Sequence, residues 1–132
     1  MREIKKVIVH CSASDNPKHD NVETIRKWHV DENGWKDIGY HFIITKNGDV
    51  HKCRDISEVG AHCKGENLDS IGICLTGNDN FSPDQYFSLA WLLNGLLNDH
   101  TTIETVKPHN HYNEDKTCPN FDLRIFHWNN MF

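Results

Sequence analysis

A chain of 132 residues is long enough for one hydrophobic core and too short for two ordinary domains. Its 14 lysines and arginines against 19 aspartates and glutamates leave a net charge of -5 with histidines neutral, and the basic residues are scattered, which disfavours nucleic acid as a partner. No apolar run approaches the roughly 20 residues that span a bilayer, and five cysteines behind an N-terminus with no signal-peptide core argue against a disulfide framework and for synthesis in a reducing cytoplasm.

Residues 7–11 are a β-branched run that predicts a central strand, delivering His10 at its C-terminal end, where sites of α/β proteins lie. Asp20, with Glu23 three residues later, reads as the capping start of a helix in which Ile25, Trp28 and His29 recur at helical spacing. Ile25 and Trp28 face inward, and Gly34 stops the helix. Residues 40–45 and 49–53 flank Lys46-Asn47-Gly48, where Asn-Gly predicts positive backbone angles in a tight hairpin turn. Residues 70–75 read as a further buried strand ending near Gly77.

Ser82-Pro83-Asp84-Gln85 combines a serine cap, proline at the first helical position and glutamine at the third, opening a helix to about residue 99. Its Phe87, Leu89, Leu92, Leu93, Leu96 and Leu97 read as core, because a one-domain sheet needs such a helix to cover it. Residues 105–107 predict a short strand, and residues 121–128 a closing helix behind Pro119. The expected architecture is a single α/β domain over residues 1–132, a mixed sheet of about five strands flanked by helices.

The chemistry concentrates in Lys107-Pro108-His109-Asn110-His111 and in Lys116-Thr117-Cys118-Pro119. With His10 they offer imidazoles and a thiolate from distant segments, a donor set that suits one zinc ion held by three protein groups with a fourth position open. Among Cys11, Cys53, Cys63, Cys74 and Cys118 no Cys-x-x-Cys pair exists, which speaks against a finger-like structural site.

Six segments occur in the order of one family: Val7-Ile8-Val9-His10-Cys11-Ser12-Ala13, Ile25-Arg26-Lys27-Trp28-His29 with Gly34-Trp35, Asp37-Ile38-Gly39-Tyr40-His41-Phe42, Gly60-Ala61-His62 to Asn67, Ser70-Ile71-Gly72-Ile73, and Lys116-Thr117-Cys118-Pro119-Asn120-Phe121-Asp122. From about residue 7 to about residue 124 the chain resembles the zinc-dependent type 2 N-acetylmuramoyl-L-alanine amidases, related to peptidoglycan recognition proteins, and in particular the short single-domain phage amidases.

The resemblance implies a central mixed sheet, a groove for a glycan-linked stem peptide, and one zinc at its floor. His10 matches the first zinc ligand and Cys118 the third, while the second is His109, which sits where the family has Gly-His with Pro108 in place of the glycine, with His111 as the alternative. Tyr40 and Lys116 match the two non-ligand residues associated with catalysis, and His62, Lys64 and Asn67 match the groove that contacts muramyl sugar or stem peptide. Next to Tyr40, His41 faces the other way and reads as structural or as a partner of a ligand. The implied reaction is hydrolysis of the amide joining N-acetylmuramic acid to L-alanine. A phage-type endolysin, made in the cytoplasm and reaching the wall once the membrane is opened, is the implied setting, with recycling of wall fragments as the alternative. Some relatives recognise peptidoglycan without cutting it, and a short phage amidase of this type also binds a phage RNA polymerase, a partner for which this chain carries no readable motif.

Overall fold

The computed structural model describes residues 2–34 and 37–123. Five strands, β1 (Lys6–Cys11), β2 (Phe42–Ile44), β3 (Val50–Lys52), β4 (Ser70–Leu75) and β5 (Thr105–Pro108), form one sheet in the spatial order β3-β2-β4-β1-β5. β1 runs parallel to β4 and β5, β2 runs parallel to β4, and β3 returns antiparallel to β2. The expected single-domain mixed α/β sheet is therefore the one observed.

Alternation along the strands divides the molecule into two layers. Val7 and Val9 of β1, Phe42 and Ile44 of β2, and Ile71, Ile73 and Leu75 of β4 form the larger core with Leu89, Leu92, Leu93 and Leu96 of α2 (Pro83–Asp99). On the opposite face Ile43 and Cys74 pack with Ile25 and Ile38. His10 is the register partner of Cys74, so it stands on this second face beyond the cover of α2.

The α2 helix opens with the predicted capping box: the Gln85 amide donates to Ser82 Oγ at 3.0 Å, and the Ser82 amide donates to Gln85 Oε1 at 3.0 Å. One expected core residue is misplaced. Phe87 is 76% exposed, because at about 100° per residue it lies on the far side of the helix from Leu89, beside the exposed Trp91.

The first helix, α1 (Val22–Arg26), continues as a π-helical stretch over Lys27–Glu32 and stops at Gly34, whose φ is +70°. Its cap is Asn21, which accepts the Thr24 amide at 2.8 Å, and not the expected Asp20. Asp20 is engaged elsewhere, accepting the Lys46 amide at 2.9 Å and the Thr76 hydroxyl at 2.6 Å, which fastens the helix entry to the strand ends. Ile25 is buried and Trp28 packs partly against the second core.

The β2–β3 hairpin also differs in detail from its expectation. Asn47 is not left-handed; Gly48 alone is, at φ +87°. The Gly48 amide closes on the Thr45 carbonyl at 2.8 Å, and the Thr45 amide donates to Asp49 O at 3.1 Å, the pattern of a turn followed by a glycine bulge. Of the expected closing helix, residues 124–128 lie outside the described residues; ahead of them Leu123 is buried in the larger core and Phe121 packs against it. No helix among the described residues is long and apolar enough to cross a membrane.

Candidate metal centre and active-site groove

Parallel pairing brings the ends of β1 and β5 together. Val9 pairs with Pro108, so His10 and His109 follow side by side at the C-terminal end of the sheet, their ring centroids 4.3 Å apart. Pro108, extended, ends the strand, and His109 starts the short helix α3 (His109–Tyr112). The loop after α3 returns Cys118 to the same place: Asn110 N donates to Cys118 O at 3.1 Å, and Cys11 N donates to Cys118 Sγ at 2.8 Å.

One ligand atom each from His10, His109 and Cys118 lies within 4.8 Å of the others. Of the two candidate histidines, His109 joins this cluster, whereas His111 is exposed and turned against Tyr112. Two imidazoles and a thiol are a donor set suited to a borderline-soft divalent ion, and three protein ligands leave a position for another group.

Local electrostatics fit that use. Burial, reinforced by His62, His109 and His29, holds the His10 pKa well below its ordinary value, and burial with the Lys116 charge lowers that of His109. Both are therefore held neutral, the form that ligates. The Cys11 thiol beside Cys118, together with burial, raises the Cys118 pKa, so metal uptake there displaces a proton.

The cluster opens into a groove of about 410 Å³ lined by His29, Tyr40, Ala61, His62, Cys63, Lys64, Gly65, Asn67, His109, Asn113 and Lys116. None of these lining residues is acidic, and two are lysines. Tyr40 stands beside His10, ring centroids 5.1 Å apart, just before β2 and not within it as expected. Burial first, then the nearby cysteines, push the Tyr40 pKa well up and keep it a phenol. Lys116 is exposed on the wall next to His109.

The three residues expected to contact substrate occupy different positions. Lys64 is exposed at the rim. Asn67 lines the groove, but its Oδ1 accepts the amides of His62 and Cys63 at 3.0 and 2.9 Å and so shapes the loop. His62 is buried, with Nδ1 2.9 Å from His10 Nε2 and Nε2 3.1 Å from Ser70 Oγ.

Beneath His62 lies Gly72, in the middle of β4. A Cβ there would stand 2.5 Å from the His62 ring, so this strand position has no room for a side chain.

His41, fully buried, is structural. Its Nδ1 accepts the Gly72 amide at 3.0 Å, which leaves Nε2 to donate to Glu58 O at 2.8 Å. Burial lowers its pKa from the ordinary 6.5 to about 4. In the folded state it stays neutral where the unfolded chain is already protonated, so its contribution is intact above about pH 6.5 and is lost as pH falls towards 4. At about 1.4 kcal/mol per pH unit this one residue accounts for roughly 3 kcal/mol. Urea denaturation of the metal-free protein should register that loss between pH 7.5 and 4; a flat stability profile would contradict the neutral buried His41.

Comparisons with known proteins agree with this architecture. Residues 1–121 match the N-acetylmuramoyl-L-alanine amidase family. The endolysin of Escherichia phage T7 is 43% identical over 126 residues, covering 89% of this chain and 82% of the phage protein. An N-acetylmuramoyl-L-alanine amidase from Clostridium intestinale superposes with a TM-score of 0.83 at 30% identity, over 95% of this chain and 83% of its own. Drosophila peptidoglycan recognition protein SD, at 20% identity, shares the fold with a TM-score of 0.83, over 100% of this chain and 85% of its own. With a match over nearly its whole length, the chain belongs to the N-acetylmuramoyl-L-alanine amidase family.

Proposed function

We propose that this chain is a zinc-dependent amidase of the phage endolysin type, which cuts the bond between the lactyl carbonyl of N-acetylmuramic acid and the first L-alanine of the stem peptide. The observation that carries the reading is the convergence of His10, His109 and Cys118, with His109 lining a groove that also holds Tyr40 and Lys116. His10, His109 and Cys118 would hold one zinc. When bound, that ion supplies Lewis acidity, polarising the scissile carbonyl and making water acidic enough to attack near neutral pH.

The remaining work falls to the chain's own side chains. Lys116, on the groove wall, stabilises negative charge as it develops on the carbonyl oxygen. Tyr40, kept protonated beside His10, orients water and assists proton transfer to the departing amine. Lys64 at the rim and Asn67 in the groove contact the muramyl peptide, and the lack of acidic groups among the lining residues suits the carboxylates of a stem peptide.

Product chemistry tests this reading. Digested peptidoglycan should gain L-alanine amino termini, detected by amine labelling and mass spectrometry, without a matching rise in reducing sugar ends. A rise in reducing ends would mean glycan cleavage, which uses paired carboxylic acids. If neither end appears while sacculi still retain the protein, it is a recognition module.

A further inference from the structure

His62 matches a groove motif and lines the groove, yet its ring nitrogens are turned to protein atoms. The residue is only 9% exposed, and both ring nitrogens face protein partners, His10 Nε2 at 2.9 Å and Ser70 Oγ at 3.1 Å. The backbone on either side of the ring is pinned by Asn67 Oδ1, and the ring lies in the notch left by Gly72. A side chain built to meet a ligand would keep a polar atom free to do so; this one faces His10, a member of the candidate cluster, with one nitrogen and Ser70 with the other.

We infer that His62 is a positioning residue for His10: by accepting the His10 Nε2–H it commits the other nitrogen of that ring, Nδ1, to the metal. The proton bookkeeping allows one arrangement once Nδ1 of His10 is a ligand. His10 must then carry its proton on Nε2 and donate it to His62 Nδ1. His62 in turn carries its proton on Nε2, where Ser70 Oγ accepts it. The reverse chain, with His62 donating to His10, would leave a proton on the ligating nitrogen and close the site to the ion. Outer hydrogen bonds of this kind fix the orientation and tautomer of a metal-bound imidazole and raise its basicity.

This inference rests on the zinc reading, and zinc affinity tests it independently of turnover. In competition with a chromophoric chelator, His62→Leu, which keeps bulk but offers no acceptor, should bind zinc about 10- to 100-fold more weakly than wild type. His62→Asn, whose side-chain oxygen falls near the place of Nδ1, should stay within about threefold. A leucine variant that binds as tightly as wild type, or an asparagine variant as weak as the leucine one, overturns the proposal.

Wild-type protein gives a second answer that does not depend on either variant folding. ¹H–¹⁵N NMR of the zinc-loaded protein should reveal a slowly exchanging His10 Nε2–H whose proton couples to His62 Nδ1. Rapid exchange of that proton with solvent would overturn the proposal. A wild type that takes up no zinc ends the zinc reading and this inference together, whereas tight wild-type binding with indifferent variants ends this inference alone.

Discussion

His109→Ala should lower zinc affinity by more than about 100-fold, beyond the loss typical of an outer hydrogen-bond partner, and abolish hydrolysis. His111→Ala should leave both near wild type. The difference follows from placement: His109 begins α3 directly after β5 and reaches His10 and Cys118, whereas His111 is exposed against Tyr112. At Cys118, the third proposed ligand, substitution by serine (Cys118→Ser) should lose zinc as severely, since a neutral hydroxyl replaces the thiolate. Cys118→Asp should retain a measurable fraction, because carboxylate is an accepted zinc ligand. Zinc per chain, measured by elemental analysis after dialysis, decides each case. Zinc retained in Cys118→Ser, or lost in His111→Ala, would mean that the ligand set is wrong.

Lys116→Ala should behave differently, keeping its zinc and its stability while kcat falls by about 100-fold or more, as for the loss of a single oxyanion donor. Lys116 is exposed on a loop, so its removal disturbs no core packing. At constant zinc content the fall corresponds to about 2.7 kcal/mol of lost transition-state stabilisation. Arginine at this position should restore part of the rate by restoring the charge. Loss of zinc in Lys116→Ala would place the lysine in metal binding instead, and unchanged kcat would remove it from the mechanism.

The elements that position the site were readable because each depends on a local pattern. β1 is a β-branched run with one polar residue at its end, and β4 an apolar run; their spans are observed at residues 6–11 and 70–75. His10 at a strand end could be read from that pattern, and Cys118 from its Lys-x-Cys-Pro segment. What sequence left open was tertiary. His109 and His111 are both histidines shortly after a strand, and choosing between them requires knowing that Pro108 closes β5 and that α3 turns the second one outward.

Asp20 and Asn21 illustrate the same limit. Both are competent helix caps, and the choice falls to Asn21 because Thr76 and Lys46, distant in sequence, claim Asp20. Phe87 falls outside the core although its apolar character widens the helix face on paper; its neighbours Leu89, Leu92, Leu93 and Leu96 already fill the layer. The close packing of His62 has a signal in the sequence. A glycine at the centre of a buried strand, here Gly72, marks the close approach of another group, and the group is the His62 ring.

The central claim is that zinc held at His10, His109 and Cys118 enables this chain to cut the muramyl amide. Its most direct test is to count new L-alanine amino termini released from purified sacculi by metal-stripped protein, before and after one equivalent of zinc is returned. The account predicts almost none from the stripped protein and recovery close to the untreated level with zinc, with reducing ends unchanged throughout. Full release of amino termini by protein verified to be free of metal would contradict it.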